Sequence, residues 1–286
     1  MDPQKITPFK VSTITATGAV STRVCLDTLF DNAPIGEEAG IIHVKHCGAT
    51  RGTSTVRIRK KRVSAAAAAA AVAEGGSGGG GGVRAKKKCF DNQITVLFRD
   101  GTNVINAKVF SNGSVQMTGL KTIDVGRRFL DHLVDVIRST GAARHEDDEP
   151  LCVRRFAVNL INSDFNAGFH LRRESISDIM QARYGILCVF ESCHYQGLKI
   201  QFFWNSDNGY TGVCQCGKAC YGRGSGHGDG ECKKITIAVF QSGSIIITGA
   251  NCMEQIQHAY DFMTAFLTRH VDEVKKVVPP ALLPRA

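Results

Sequence analysis

Four cysteines in a glycine-rich stretch are the residues whose type and spacing most clearly suggest chemistry. They follow a C-x-C-x3-C-x11-C pattern at Cys214, Cys216, Cys220 and Cys232. Thiolates are soft ligands, and four of them hold zinc tetrahedrally in structural sites. Such an ion would order a segment that cannot build a core of its own. The pattern therefore predicts a structural zinc site, with His227 as a substitute ligand and free or transiently oxidised thiols as the alternative.

Signs of catalysis are weak elsewhere in the chain. The run GRGSGHGDG at 222–230 imitates a glycine-rich phosphate loop, but it lacks the strand-then-helix setting that such a loop requires. The histidines His170, His194 and His258 are scattered, and no carboxylate or nucleophile pattern accompanies them. The sequence therefore predicts a protein that is not an enzyme.

The composition is that of an ordinary globular protein with a basic balance. The 286 residues are 43% hydrophobic and 21% charged, and the net charge of +9 favours an anionic partner such as nucleic acid. Nine basic residues and a single acid fall within 57–88, so the excess charge is concentrated there. We expect no targeting segment and no membrane span, and the eleven cysteines then predict reduced thiols in an intracellular protein.

A two-fold repeat organises the chain. The segments VFSNGSVQMTGLK at 109–121 and VFQSGSIIITGAN at 239–251 share Val, Phe, Gly, Ser, Thr and Gly at matching positions. Each is typical of a strand, a tight turn and a second strand, and apolar residues at helical spacing follow each one. The repeat predicts two halves, each with a strand, a short helix, several antiparallel strands and a long helix.

The repeat also predicts where the chain divides. The parts are a first half at 1–143, a polar linker at 144–151, a second half at 152–276 and a tail at 277–286. Both halves carry an insertion, which we place between their second and third strands. The first insertion, about 47–89, is of low complexity, and its basic clusters suit a solvated tether, a nuclear-import signal or contacts with DNA phosphates. The second insertion, 205–232, holds the four cysteines.

Alternation along each hairpin sorts its side chains onto two faces. One face is aliphatic and can be covered by the long helix. The other keeps large apolar residues among polar ones: Phe240, Ile246 and Thr248, with Phe110, Gln116 and Thr118 as their counterparts in the first hairpin. An uncovered face of this kind is typical of a binding surface, although core packing is the alternative for the two phenylalanines.

The paired VFxxGSxxxTG hairpins, each followed by a long helix, resemble the two halves of the TATA-box-binding protein family. FDNQITV at 90–96 and the CKKITIAVFQSG context are most similar to the TATA-box-binding-protein-like proteins of large DNA viruses. The resemblance covers most of the chain outside the insertions. It implies an α+β fold, a pseudo-two-fold saddle in which a curved, ten-stranded antiparallel sheet carries four helices on its convex face. The concave face of such a saddle lies in the DNA minor groove.

The resemblance also implies roles for residues of the uncovered face. Phe110 and Phe240 match the wedges that end the third strand of each half and that enter between base steps to kink the duplex. Asn159 matches an asparagine that reaches the central base edges. The other matching groove contacts are Thr118, Ile246 and Thr248.

The sequence departs from the family pattern at a few positions. A second wedge is expected before the second strand of each half; Tyr184 is the nearest aromatic in the second half, and the first half has none. Phe9 or Lys10 stands where the first-half asparagine is expected, and Gln116 replaces an apolar groove contact. We include Gln116 and Tyr184 among the predicted DNA-binding residues.

These observations predict a TATA-box-binding-protein-like general transcription initiation factor that binds and bends A·T-rich promoter DNA through the minor groove. We expect it to need no cofactor for DNA binding and to seat a TFIIB-like factor and RNA polymerase. The expected location is the host nucleus or a viral factory, with packaging in the virion left open. The rival hypothesis is a protein-interaction scaffold that recruits transcription partners without specific DNA binding, and an enzyme that uses the cysteine loop comes last.

Overall fold

Local sequence rules explain where the main helices begin and end. The computed structural model describes residues 6–53, 91–144, 150–207, 211–217 and 220–277. The long helix that follows the first hairpin begins after Thr122, whose hydroxyl oxygen accepts a hydrogen bond from the Val125 N–H at 3.4 Å. It ends at Gly141, which adopts a φ of 67° that favours glycine.

Both halves contain the expected order of elements. The first half comprises β1 (Lys10–Val20), β2 (Arg23–Val24), α1 (Leu26–Asn32), β3 (Ile41–His46), β4 (Ala49–Gly52), β5 (Gln93–Asp100), β6 (Asn103–Phe110), β7 (Ser114–Leu120), α2 (Ile123–Thr140) and β8 (Ala143–Arg144). The second half comprises β9 (Val153–Asn166), α3 (Arg173–Tyr184), β10 (Cys188–Val189), β11 (Leu198–Trp204), β12 (Lys233–Val239), β13 (Ser244–Ala250), α4 (Met253–Arg269) and α5 (Val271–Val274).

One large sheet joins the two halves. Its strand order is β10-β11-β12-β13-β9-β1-β7-β6-β5-β3-β4, and every neighbouring pair is antiparallel. The strands β1 and β9 lie side by side at the centre, and the others follow in the same succession towards each edge. The α+β saddle expected from the sequence is therefore confirmed. The sheet has eleven strands instead of ten because β4 adds a strand at the first-half edge.

The helices cover one face of this sheet. In β1, Ile14 and Ala16 are buried, whereas Thr15 and Thr17 are only partly so, as the two-residue period of a strand requires. The buried face meets apolar side chains of the long helices, among them Phe129, Leu130 and Leu133 of α2 and Ile256, Ala259 and Met263 of α4. A single continuous core therefore lies between the sheet and the helices.

The same backbone geometry requires glycine in both of the repeated turns. Gly113 and Gly243 adopt φ angles of 82° and 91°, where a side chain is strained. A Cβ atom at Gly113 would overlap the carbonyl oxygen of Thr22, and one at Gly243 would overlap that of Phe169. The repeated sequence therefore preserves both a turn and a close approach of two backbones.

The placement of the two insertions at equivalent points is wrong. Residues 54–90 lie outside the described residues and join β4 to β5, whereas the cysteine-containing segment joins β11 to β12. The strand expected in FDNQITVLFRDG is β5, and its counterpart is β11, the alternating segment LKIQFFW. Phe110 is therefore the last residue of β6, and Phe240 follows the last residue of β12. If the short strands β2 and β4 are left out, each phenylalanine lies at the end of the fourth strand of its half, not the third.

Candidate nucleic-acid interface and cysteine cluster

The face of the sheet opposite the helices, here called the open face, consists of matched cross-strand rows. In the first half a row runs through Thr95, Lys108, Gln116 and Thr17. In the second half the equivalent row runs through Lys199, Ala238, Ile246 and Asp164. Within the described part of the chain no helix packs on this face, and its long side chains are exposed or half-buried.

The two predicted wedges lie at equivalent hairpin ends. Phe110 and Phe240 are both half-buried, and each follows a fully buried valine, so alternation puts their rings towards the open face. The Phe240 ring packs edge-to-face on Tyr195, with 5.7 Å between the ring centroids. The Lys199 ammonium in turn lies 4.8 Å from the centroid of the Tyr195 ring. Phe240 is therefore supported from the side instead of standing alone.

A side-chain hydrogen bond joins two strands of the open face in the second half. The Thr248 hydroxyl donates to Oδ1 of Asn162. In the first half the Thr118 hydroxyl instead donates to the backbone carbonyl of Asn106 at 3.3 Å. Thr118 is exposed, whereas Thr248 is half-buried. The hydrogen bond from Thr248 occupies the amide oxygen of Asn162. The N–H groups of the Asn162 amide are therefore the part of this side chain that can donate to a ligand.

Asn159 occupies a β-bulge next to the centre of the sheet. Thr15 pairs with Leu160 and Ala16 with Val158, so Asn159 is the extra residue of β9, and its side chain is exposed. The same irregularity recurs in β1, where Ser12 is the extra residue.

The counterpart of Asn159 in the first half is therefore Ser12, and the expectation of Phe9 or Lys10 is wrong. Phe9 packs against Tyr260 of α4, with 5.3 Å between the ring centroids, so it belongs to the helix side. Because bulges shift the alignment of the two central strands, the repeat could not be extended into them by counting residues.

Tyr184 lies on the helix side of the sheet, which contradicts its predicted contact with DNA. It is the last residue of α3, and its ring packs edge-to-face on Phe266 of α4 at 5.5 Å between centroids. Its hydroxyl is hydrogen-bonded to Nε2 of His270 at 2.9 Å. The physical reason is that Gly185 ends the helix only after Tyr184, so the ring stays within the helix layer.

The centre of the open face carries a compensated carboxylate. Nζ of Lys10 lies 3.3 Å from Oδ2 of Asp164, and the Ser12 hydroxyl donates a hydrogen bond to Oδ1 of the same side chain. Both carboxylate oxygens are therefore engaged within the protein. This arrangement reduces the repulsion that an isolated carboxylate would exert on a polyanion.

The four cysteines of the sequence pattern converge in space. The sulfur atoms of Cys214, Cys216, Cys220 and Cys232 all lie within 4.8 Å of one another. The Sγ atom of Cys214 lies 3.7 Å from that of Cys220 and 3.8 Å from that of Cys232. Zinc–sulfur bonds of about 2.3 Å imply sulfur separations of about 3.8 Å along the edge of a tetrahedron. His227 is exposed and is not part of this cluster.

Two glycines allow the backbone to pack closely against the cysteine side chains. The Gly224 N–H donates to the sulfur of Cys220 at 3.3 Å. A Cβ atom at Gly228 would lie 2.9 Å from the Cys216 sulfur and 2.8 Å from Cβ of Cys220, so only glycine fits there. Cys220 and Cys232 are buried, whereas Cys214 and Cys216 are half-buried. The donor set and its geometry thus fit a tetrahedral metal ion.

Comparisons with known proteins agree with the hairpin resemblance. Residues 231–270, which contain β12, β13 and α4, match the family model described as "Transcription factor TFIID (or TATA-binding protein, TBP)". The chain is also 28% identical over 283 residues to a protein of Acanthamoeba polyphaga mimivirus named "TATA-box-binding protein-like"; the match covers 93% of this chain and 67% of the relative. The resemblance to the TATA-box-binding protein family that the hairpins carry is therefore confirmed.

The solved structure of Methanococcus jannaschii TBP is also similar to this chain. The two are 12% identical, with a TM-score of 0.45, and the match covers 92% of this chain and 99% of the archaeal one. Within the described residues, no helix of the chain has the length and apolar character needed to cross a bilayer.

Sequence reasoning missed two side chains of the candidate interface. Tyr195 precedes β11, and apolar residues at every second position of LKIQFFW were the available signal for that strand. Asn162 follows Asn159 by three residues and becomes recognisable only once the bulge at Asn159 is known. Both lie beside predicted residues, Tyr195 against Phe240 and Asn162 against Thr248.

Proposed function

We propose that this chain is a transcription initiation factor that binds double-stranded promoter DNA in the minor groove through its open face. The observation that carries the proposal is the equivalent placement of Phe110 and Phe240 on the face that the helices leave free. The similarity to the family supports the coarser role of a TATA-box-binding-protein-like transcription factor. We propose a binding protein and not an enzyme.

The polar groups of the open face suit the minor groove of A·T pairs. Adenine N3 and thymine O2 are acceptors, and A·T pairs offer no donor there. Asn162 and the exposed Asn159 each carry N–H donors, and the oxygen of Asn162 is already engaged by Thr248. The aliphatic side chain of Ile246 accepts no hydrogen bond, so it fits a groove edge that carries no hydrogen-bond donor. Together these groups favour A·T-rich DNA.

The two phenylalanines suit bending of the duplex. Minor-groove proteins of this family insert apolar wedges between base steps, partly unstack them and kink the DNA towards the major groove. Phe110 and Phe240 lie at the far ends of the two hairpins, so two kinks would flank the bound segment. The support of Phe240 by Tyr195 keeps that ring in place when it meets the bases.

A bending assay tests the proposal. The full chain is mixed at low salt with an A·T-rich duplex labelled at both ends, and energy transfer between the labels reports the bend. We expect wild type to bind and bend, and Phe110→Ala and Phe240→Ala each to reduce the bend. Met253→Ala is the control, since Met253 is 39% exposed and lies in α4, on the opposite side of the sheet from the open face.

If wild type neither binds nor bends the duplex at low salt, the DNA-binding proposal is wrong and the scaffold hypothesis takes its place. In that hypothesis the saddle recruits transcription partners without specific DNA binding. In either case we propose that a TFIIB-like factor and RNA polymerase are the partners. The site of action would be the host nucleus or a viral factory.

We also propose that the cysteine cluster holds a structural zinc ion. The support is the near-tetrahedral spacing of four thiols around a position where Gly228 leaves room for the ligands. Zinc would fix the segment between β11 and β12, which otherwise has few apolar side chains. Metal analysis of purified protein should find one zinc per chain, and Cys216→Ser should lose it whereas the exposed Cys193→Ser should keep it. If neither wild type nor Cys193→Ser contains zinc, the zinc proposal is wrong.

A further inference from the structure

The two halves of the open face differ in polarity at one matched position. In the first half, Lys108 and Gln116 face each other across β6 and β7, and both side chains are exposed. In the second half, the equivalent pair is Ala238 and Ile246; Ala238 is 4% exposed and Ile246 is half-buried. The neighbouring threonines of the two hairpins are the same in both halves.

This difference in side-chain polarity corresponds to a chemical difference between A·T and G·C pairs. In the minor groove a G·C pair adds the guanine N2 amino group, a donor that A·T pairs lack. Against the aliphatic pair Ala238–Ile246 that donor would be desolvated without an acceptor, which is costly. The amide of Gln116 carries both an acceptor oxygen and N–H donors, so it can accept from guanine N2 or donate to adenine N3 and thymine O2.

The polar side chains of β9 that lie beside Ile246 do not replace this function. Both oxygens of Asp164, the cross-strand neighbour of Ile246, are engaged by Lys10 and Ser12. The side-chain oxygen of Asn162 is engaged by Thr248. The first half therefore presents an acceptor at a place where the second half presents only aliphatic surface.

We propose that Gln116 makes base recognition unequal in the two halves. The second half requires A·T pairs beneath Ile246, whereas the first half accepts G·C pairs beneath Gln116. This inference rests on the proposed minor-groove binding. Its consequence is that a site with G·C pairs in one half is bound in the orientation that places them under the first half.

Three duplexes and two reciprocal variants test the inference. The duplexes have only A·T pairs, G·C pairs in one half of the site, or G·C pairs in both halves, and fluorescence anisotropy gives the affinity for each. For wild type we expect the mixed duplex to bind nearly as well as the A·T duplex. The duplex with G·C in both halves should bind about tenfold or more weakly, which is the usual effect of a mismatched site.

Each variant gives one half the residue type that the other half has at the matched position. Gln116→Ile should lower the affinity for the mixed duplex by about tenfold relative to the affinity of the same variant for the A·T duplex. Ile246→Gln should restore binding to the duplex with G·C in both halves. Neither side chain is fully buried, and equal melting temperatures of the variants and wild type will verify that the fold is intact.

Several outcomes would overturn the inference. If the mixed duplex binds equally well to wild type and Gln116→Ile, Gln116 does not provide the tolerance. If wild type binds the mixed duplex as weakly as the doubly substituted one, the halves are equivalent, and if it binds all three duplexes equally, neither half selects. In these cases the proposed DNA binding stands. Failure to bind even the A·T duplex would reject both proposals.

Discussion

The Thr248 hydroxyl donates a hydrogen bond to Oδ1 of Asn162 and thereby joins β13 to β9 on the open face. The bond orients the Asn162 amide so that its N–H groups are the part left for a ligand. The first half has no such arrangement in the described residues, since the Thr118 hydroxyl bonds to a backbone carbonyl. The second half thus holds a fixed donor near the centre of the sheet.

Thr248→Val should weaken binding to an A·T duplex about fivefold, because the loss of one hydrogen bond is worth about 1 kcal/mol and frees the Asn162 amide to rotate. Valine preserves the shape of threonine, so the fold should be unaffected. Anisotropy titrations measure the effect. Thr264→Val on the outer surface of α4 is the matched control, and equal affinities for the two variants would contradict the role of this hydrogen bond.

Tyr195→Ala should reduce the bend produced by the protein, because Phe240 loses the ring that supports it. Aromatic pairs of this kind contribute about 0.5–1.5 kcal/mol, so a small fall in thermal stability should accompany the change. Tyr195→Phe keeps the ring and should behave as wild type. Energy transfer across a doubly labelled duplex gives the bend; an unchanged bend for Tyr195→Ala would show that Phe240 needs no support.

Gly228→Ala should weaken zinc binding by about tenfold or more, since a Cβ atom there would lie 2.9 Å from the Cys216 sulfur and 2.8 Å from Cβ of Cys220. Competition with a chromophoric chelator measures the affinity. Gly217→Ala is the control, because its nearest neighbour, Oδ2 of Asp229, would be 3.9 Å away. Equal affinities for the two variants would indicate that the cysteines do not enclose the metal as the geometry implies.

Deletion of 57–88 should flatten the dependence of DNA affinity on salt concentration while leaving the bend unchanged. This segment lies outside the described residues, and the prediction depends on its nine basic residues and one acid. Each phosphate that a protein neutralises adds about 0.9 to the slope of the logarithm of affinity against the logarithm of salt concentration. A deletion protein with the same slope as the full chain would exclude phosphate contacts by this segment.

Cys25 should react with iodoacetamide at lower pH than an ordinary thiol. The Thr28 hydroxyl donates a hydrogen bond to its sulfur at 3.1 Å and, with help from Arg144, lowers the pKa of Cys25 to about 7. Because the thiolate is the reactive form, the alkylation rate should rise with pH and reach half its maximum near pH 7. Mass spectrometry of the Cys25 peptide follows the rate. Thr28→Val should shift the profile towards higher pH, and an identical profile would contradict this cause.

The sequence was sufficient for the features that local patterns encode. The hairpin repeat and the spacing of the four cysteines predicted the pairs β6–β7 and β12–β13 and the convergence of the sulfurs, because turns and ligands depend on neighbouring residues. The bulges at Ser12 and Asn159 could not be predicted, since each adds one residue to its strand with no adjacent glycine or proline to mark it. Tyr184 was assigned to the wrong face because the end of α3 decides where its ring packs.

The outermost strands of the sheet have a consequence for its behaviour in a crowded solution. One border strand, β4, has four residues and the other, β10, has two. Short borders leave few unpaired backbone groups on which another chain could form further ladders. The short edge strands therefore disfavour edge-to-edge aggregation of this eleven-stranded sheet, while its open face stays uncovered.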